Sequence, residues 1–487
     1  MDQNRAPVLE ALQAYRERGY TPFTPPGHRQ GRGADPRVLD VLGEDVFAAD
    51  VIPVNGLDDR TSSQGVVEHA QQLMAEAVDA DQAFFSTCGS SLSVKSAMLS
   101  VAGPHEKIIV PRHAHKSVIS ALILSGVSPV WLSPHWDAER HLSHPPGPED
   151  VRELFEAEPE AKGMLLVTPN DYGTCGDIAA IAEVCHSFGK PLIVDEAWGA
   201  HLPFHPDLPQ WGMDAGADVV VTSVHKSGAA VEQSSVFHLQ GDLVDPNVLK
   251  AREDLLATTS PTSIVYATLD GWRRHMVQHG EELLTAALAL AHATRDSIND
   301  LPGLRVMGEA EFIGKGLAHA LDPLKMTIDV SGLGISGYQA TDWLREHQRV
   351  TLGLSDHRRV VAHFTHADDH RTAAILLEAL SALVKADLPA PPQVDLPSPD
   401  ELQLETAMLP RDAFFAEVEQ VGAEQAVGRI SAEVVTPYPP GAPAVLPGEV
   451  ITQEVVDYVR SGLDAGMTLP DPSDPELKSF RVVVRKP

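Results

Sequence analysis

The feature that most constrains the fold is a series of short apolar, β-branched runs between Ala83 and Leu239 that show no polar alternation. Lys107-Ile108-Ile109-Val110, Gly163-Met164-Leu165-Leu166-Val167, Pro191-Leu192-Ile193-Val194 and Asp218-Val219-Val220-Val221 are separated by stretches of helical pattern. A strand with one face in water alternates apolar and polar residues, so strands without that alternation are buried on both faces, as in a parallel sheet covered by helices. The expected fold class is therefore α/β, with a three-layer α/β/α core. In such sheets ligands bind at the carboxyl ends of the strands, so the chemistry should lie just after these runs.

At 487 residues the chain is about three times a usual domain length, which leads us to expect two or three domains. A helical pattern from about Ser263 to Asp300 leads into a second α/β segment ending near Lys385. The proline-rich stretch Ala386 to Pro399 reads as a linker. The division expected is an N-terminal arm over residues 1–60, a large domain over 61–262, a smaller α/β domain over 263–390 and a C-terminal α+β domain over 391–487.

Several function classes are disfavoured. No apolar run approaches the roughly 20 residues of a membrane span, and Met1-Asp2-Gln3-Asn4-Arg5 does not open a secretory signal, so a cytoplasmic location is expected. Cys88, Cys175 and Cys185 have no CxxC spacing, so neither a disulfide framework nor a metal site is expected. A formal charge of −31 argues against nucleic acid or an anionic membrane as partner and tolerates a cationic substrate. Solubility explains the same acidity equally well.

Four motifs follow the buried runs. Thr222-Ser223-Val224-His225-Lys226-Ser227-Gly228 places a lysine among hydroxyls and a histidine directly after a strand, a setting for a Schiff base with a phosphate bound alongside. On its own the same lysine suits a solvated helix start. Asp195-Glu196-Ala197-Trp198-Gly199-Ala200-His201 places a carboxylate at a strand end about one βαβ crossover upstream, where it can pair with a protonated pyridine nitrogen or, equally, cap a helix. Phe84-Phe85-Ser86-Thr87-Cys88-Gly89-Ser90-Ser91 is strand, small polar turn and helix start, the geometry of a phosphate cradle to which Ser223 and His225 can add donors; simple capping is the alternative. Pro111-Arg112-His113-Ala114-His115-Lys116-Ser117 offers an imidazole at a strand end, either for stacking and proton transfer or as a plain polar residue.

Taken together these segments resemble the ornithine/lysine/arginine decarboxylases of the aspartate-aminotransferase fold, in the short form without a wing domain. The resemblance spans nearly the whole chain. It is carried by Pro25-Pro26-Gly27-His28, Gly56-Leu57-Asp58-Asp59, the Arg112 to Ser117 stretch, Asp195-Glu196-Ala197 and Ser223-Val224-His225-Lys226. The C-terminal Pro437-Tyr438-Pro439-Pro440-Gly441 and Leu446-Pro447-Gly448-Glu449 resemble the family's signature there.

The resemblance implies a fold type I enzyme that uses pyridoxal 5'-phosphate to decarboxylate a basic amino acid. By it Lys226 forms the Schiff base, Asp195 pairs with the ring nitrogen, His115 stacks on one ring face and Ala197 packs on the other. Ser90, Ser91, Ser223 and His225 correspond to the phosphate site. Thr258, Thr259 and Ser260 look like residues contributed across a dimer interface, which implies a homodimer or a dimer of dimers. His28, Glu433 and Glu449 are candidates for the substrate, the two glutamates because an acidic group beyond the α carbon would select a cationic side chain. The same-fold alternative is an aminotransferase, which needs an arginine on the substrate carboxylate; Arg358 and Arg359 are available by sequence. A catalytically silent scaffold is disfavoured because Lys226 and Asp195 are both present.

Overall fold

The computed structural model describes residues 1–53, 57, 65–313, 316–397, 403–438 and 443–485. Gly56, Asp58 and Asp59 of one family-like motif and Pro439, Pro440 and Gly441 of another lie outside the described residues. The chain divides into two compact units that interleave in sequence, Met1–Ser100 with Ile193–Leu284 and Val101–Leu192 with Thr285–Pro487.

In the first unit the strand Gln82–Ser86 pairs antiparallel with Ser235–Leu239, which pairs antiparallel with Val219–Ser223; the last runs parallel to Leu192–Asp195. Ile193, Val194, Val219, Val220 and Val221 are fully buried, as the unbroken apolar runs require. Register then determines where the chemistry goes. Ser86 lies opposite Ser235, Ser235 opposite Ser223, and Asp195 opposite Val221, so the carboxyl ends of three strands share one edge.

Two helices begin at that edge. Ser90–Val101 follows a turn in which Gly89 adopts φ +75°, a conformation that a side chain would strain, and Val224–Ser227 follows Ser223 directly. The N-terminal helix Pro7–Glu17 docks on the helix Ser263–Asn299 through Val8 N–H, which donates to Asp270 at 2.8 Å. Asp270 in turn pairs with the fully buried Arg273 at 2.9 Å.

In the second unit the strand Lys107–Pro111 runs parallel to Ser128–Leu132 on one side and to Met164–Val167 on the other. A small antiparallel sheet follows, in the order Arg305–Val306, Lys325–Asp329, Arg359–His363, Leu354–Ser355. Residues 386–397 carry no regular secondary structure. The C-terminal part builds its own core from Val435, Val445, Ile451, Val455, Val459 and Phe480, between the strand pair Val418–Gly422 and Ser479–Val483 and the helix Gln453–Asp464. No helix among the described residues is long and apolar enough to cross a membrane.

Candidate active site

The shared edge of the first unit gathers seven of the residues singled out by sequence. Ser223 Oγ donates to Ser90 Oγ at 2.7 Å, and Ser223 N–H donates to the Ala197 carbonyl at 3.3 Å, so Ser90, Ser223 and the Asp195 loop are tied by direct bonds. Asp195 is buried at its strand end, where its Oδ1 accepts Ala197 N–H at 3.3 Å. Lys226 is half-buried, with Nζ 4.3 Å from the centroid of the Trp198 ring, a cation–π distance. Ser227 Oγ donates to the Trp198 carbonyl at 2.7 Å, which fixes the loop bearing that indole. His225 Nδ1 lies 3.0 Å from the Ser234 carbonyl; a carbonyl only accepts, so Nδ1 carries a proton and the ring donates from Nε2 as well only when it is a cation. Ser91 is exposed on the first turn of the Ser90 helix, where the leading N–H groups point out along the axis.

Glu196 had no separate role by sequence, and its neighbourhood shows what it does. It is fully buried, its Oε2 accepts Gly212 N–H at 3.3 Å, and burial pushes its carboxyl well above the usual range. Burial thus disfavours a second charge beside Asp195. A Cβ added at Gly199 would sit 2.3 Å from Glu196 Cγ, so only glycine allows the loop to close over this carboxyl.

The other candidates of this unit lie apart from that cluster in kind. Thr258, Thr259 and Ser260 are exposed, between the helices Pro246–Leu256 and Ser263–Asn299. His28 is engaged inside the N-terminal arm, with Nε2 3.2 Å from Asp50 and Nδ1 accepting Gly31 N–H at 3.3 Å.

The second unit holds the remaining candidates. His115 caps the helix Lys116–Ser125: its Nδ1 accepts the Ser117 N–H at 3.2 Å and lies 2.9 Å from the Ser117 hydroxyl, which puts the proton of the neutral ring on Nε2. Glu433 and Glu449 are both buried. Glu433 accepts N–H groups of Arg481 at 2.7 Å and Ser473 at 2.9 Å. Glu449 Oε2 takes Arg112 at 2.9 Å and Leu446 N–H at 2.8 Å. Each carboxyl thus holds protein groups together. Arg359 is fully buried on Asp356 at 2.9 Å and the carbonyls of Arg140 and His141, while Arg358 donates to the Glu139 carbonyl at 3.1 Å. Both guanidinium groups are engaged by the fold, which does not favour the aminotransferase alternative. No group of three or more metal-ligating side chains forms among the described residues.

A lysine amine, a hydroxyl-rich helix start and a buried carboxylate on one sheet edge fit pyridoxal phosphate. Residues 6–372 match the family model for the Orn/Lys/Arg decarboxylase major domain, and residues 399–471 that for its C-terminal domain. The chain belongs to the Orn/Lys/Arg decarboxylase family. The decarboxylase is 37% identical to the arginine decarboxylase of Bacillus subtilis over 99% of both chains, and 38% identical to that of Halalkalibacterium halodurans over 99% of this chain and 98% of the other. It is 25% identical to the constitutive lysine decarboxylase of Escherichia coli, over 96% of this chain and 79% of that one.

The solved structure of the Escherichia coli constitutive lysine decarboxylase superposes with a TM-score of 0.81 at 22% identity, covering 99% of this chain and 82% of that one. A ureidoglycine–glyoxylate aminotransferase from Bacillus subtilis gives 0.56 at 16% identity, over 73% and 92%. These likenesses show the fold, that of the fold type I pyridoxal-phosphate enzymes. The decarboxylase is a pyridoxal-phosphate enzyme acting on a basic amino acid.

Proposed function

We propose that the preferred substrate is arginine and that the product is its decarboxylated amine, a feedstock for polyamine synthesis in the cytoplasm. The observation that carries this reading is the contrast in similarity: 37–38% identity to arginine decarboxylases over essentially the whole chain, against 25% to a lysine decarboxylase.

Bound pyridoxal phosphate supplies an electron sink for the pair released when carbon dioxide leaves the α carbon. In our reading Lys226 anchors the cofactor and holds at Nζ the proton delivered to that carbon. Asp195 keeps the proton on the ring nitrogen from its buried strand end. Ser90, Ser91, Ser223 and His225 hold the phosphate, with the Ser223–Ser90 bond fixing their spacing. By the family resemblance Ala197 and His115 would also contact the cofactor. The site would have to hold the substrate so that its carboxylate is the group released. We further propose a homodimer to which Thr258, Thr259 and Ser260, exposed in the single chain, contribute across the interface.

Carbon dioxide release measured in parallel from arginine, lysine and ornithine tests this reading. A pocket matched to one distal cation is expected to favour arginine in kcat/KM by about tenfold to a hundredfold. Preference for lysine or ornithine overturns the assignment, and a keto acid formed in place of an amine moves the chain to transamination. The same assay across a dilution series, with mass read by light scattering, tests the dimer. Full activity in a monomer contradicts it.

A further inference from the structure

His115 sits at the start of an element that the C-terminal region grips at three places within the second unit. Its ring orientation is not independent of the backbone: Nδ1 is bonded to Ser117 in the first turn of the helix Lys116–Ser125, so whatever locates that helix start also locates the ring. The strand Lys107–Pro111 ends only four residues earlier.

Three cations make the grip. In the connecting loop Arg112 donates to the carbonyls of Pro443 at 2.9 Å and Ala444 at 3.4 Å and to Glu449 at 2.9 Å. At the helix start Lys116 pairs with Asp471 at 3.0 Å. At the helix end Arg411 donates to the carbonyls of Ile123, at 3.1 Å, and Leu124.

The Arg112–Glu449 pair is the one of the three that is hidden from water, with side-chain exposures of 10% and 2%. A surface pair is screened and easily rearranged, whereas a buried pair with directed hydrogen bonds admits one arrangement. Glu449 Oε2 also takes Leu446 N–H, so the same oxygen that meets Arg112 fixes its own loop.

We propose that the C-terminal region acts as a clamp on the His115 loop and helix, with the buried Arg112–Glu449 pair as its key, so that Glu449 is a positioning residue and not a substrate contact. The proposal rests on the reading of His115 given above. It gives the C-terminal region a direct part in turnover, because a displacement of about 1 Å in a group aligned on the reacting centre is enough to cost on the order of a hundredfold.

The test uses the full-length holoenzyme. Glu449→Gln keeps the shape and removes the charge. It is expected to lower kcat by about tenfold or more, to leave KM within about twofold, and to shrink the visible circular dichroism band of the bound cofactor, with partial recovery in Glu449→Asp. Raised KM with kcat and dichroism intact makes Glu449 a substrate contact and overturns the clamp. His115→Ala separates the two readings. If it changes neither kcat nor dichroism, the assignment of His115 fails; if it lowers both while Glu449→Gln lowers neither, the clamp fails. Should Glu449→Gln not fold, Arg411→Ala, at an exposed position, must lower kcat and the dichroism together by about twofold to fivefold, the scale of a lost hydrogen bond. No change in that variant overturns the proposal.

Discussion

Asp195 and Glu196 are neighbouring carboxyl groups in contrasting surroundings. Asp195 ends a buried strand on the edge it shares with Ser223 and Lys226, whereas Glu196 turns inward against Gly199 and Gly212, where burial disfavours its charge. Asp195→Asn should therefore leave the cofactor bound, since Lys226, Ser90 and Ser223 are untouched, while turnover falls by about a hundredfold or more for want of a charge on the ring nitrogen. Visible absorbance and kcat measured on one preparation check this, and full activity would make Asp195 a cap alone. The positions of Asp195 and Lys226 at strand ends were legible because one closes an unbroken apolar run and the other lies just after one. The partners of Glu433 and Glu449 were not: Arg481, Ser473 and Arg112 lie 48, 40 and 337 residues away, and no local spacing announces such pairings.

At the scale of elements, the parallel strands and the long helix were readable from pattern. Unbroken apolar runs became strands with fully buried valines and isoleucines, and the helical pattern from about Ser263 to Asp300 became the helix Ser263–Asn299. Two-residue strands such as Arg305–Val306 are too short for any periodicity to develop. The strand Ser235–Leu239 hides a polar residue that the pattern did not single out. His238 is buried with its ring edge-on to Trp211, and burial pushes its pKa from 6.5 down to about 3. The folded protein keeps this ring neutral while the unfolded chain protonates it below 6.5, so stability from His238 is lost as pH falls from 6.5 toward 3. Replacing it by leucine removes that dependence. Denaturant melts should show the stability of the native protein relative to His238→Leu falling by about 2 kcal/mol between about pH 7 and pH 5. A difference constant with pH would show that His238 titrates normally in the fold.

At the scale of the whole molecule, the proposed cofactor residues Ser90, Ser91, Asp195, Ala197, Ser223, His225 and Lys226 come from two stretches of sequence that fold into one unit, while His115 belongs to the other. Local periodicity revealed the strands but carries no signal for which distant stretches pack together, so the interleaving of the units was not visible in it. The family match over residues 6–372 and 399–471 shows that the chain is built throughout on a decarboxylase plan. The central claim is that, of all its amines, the molecule presents Lys226 to the cofactor. Borohydride reduction of the intact holoenzyme, followed by digestion and mass spectrometry, tests it most directly. The account predicts one pyridoxyl-modified peptide, carrying Lys226, and loss of both that label and the visible band in Lys226→Ala; a label on another lysine, or an unchanged reducible band in the variant, would contradict it.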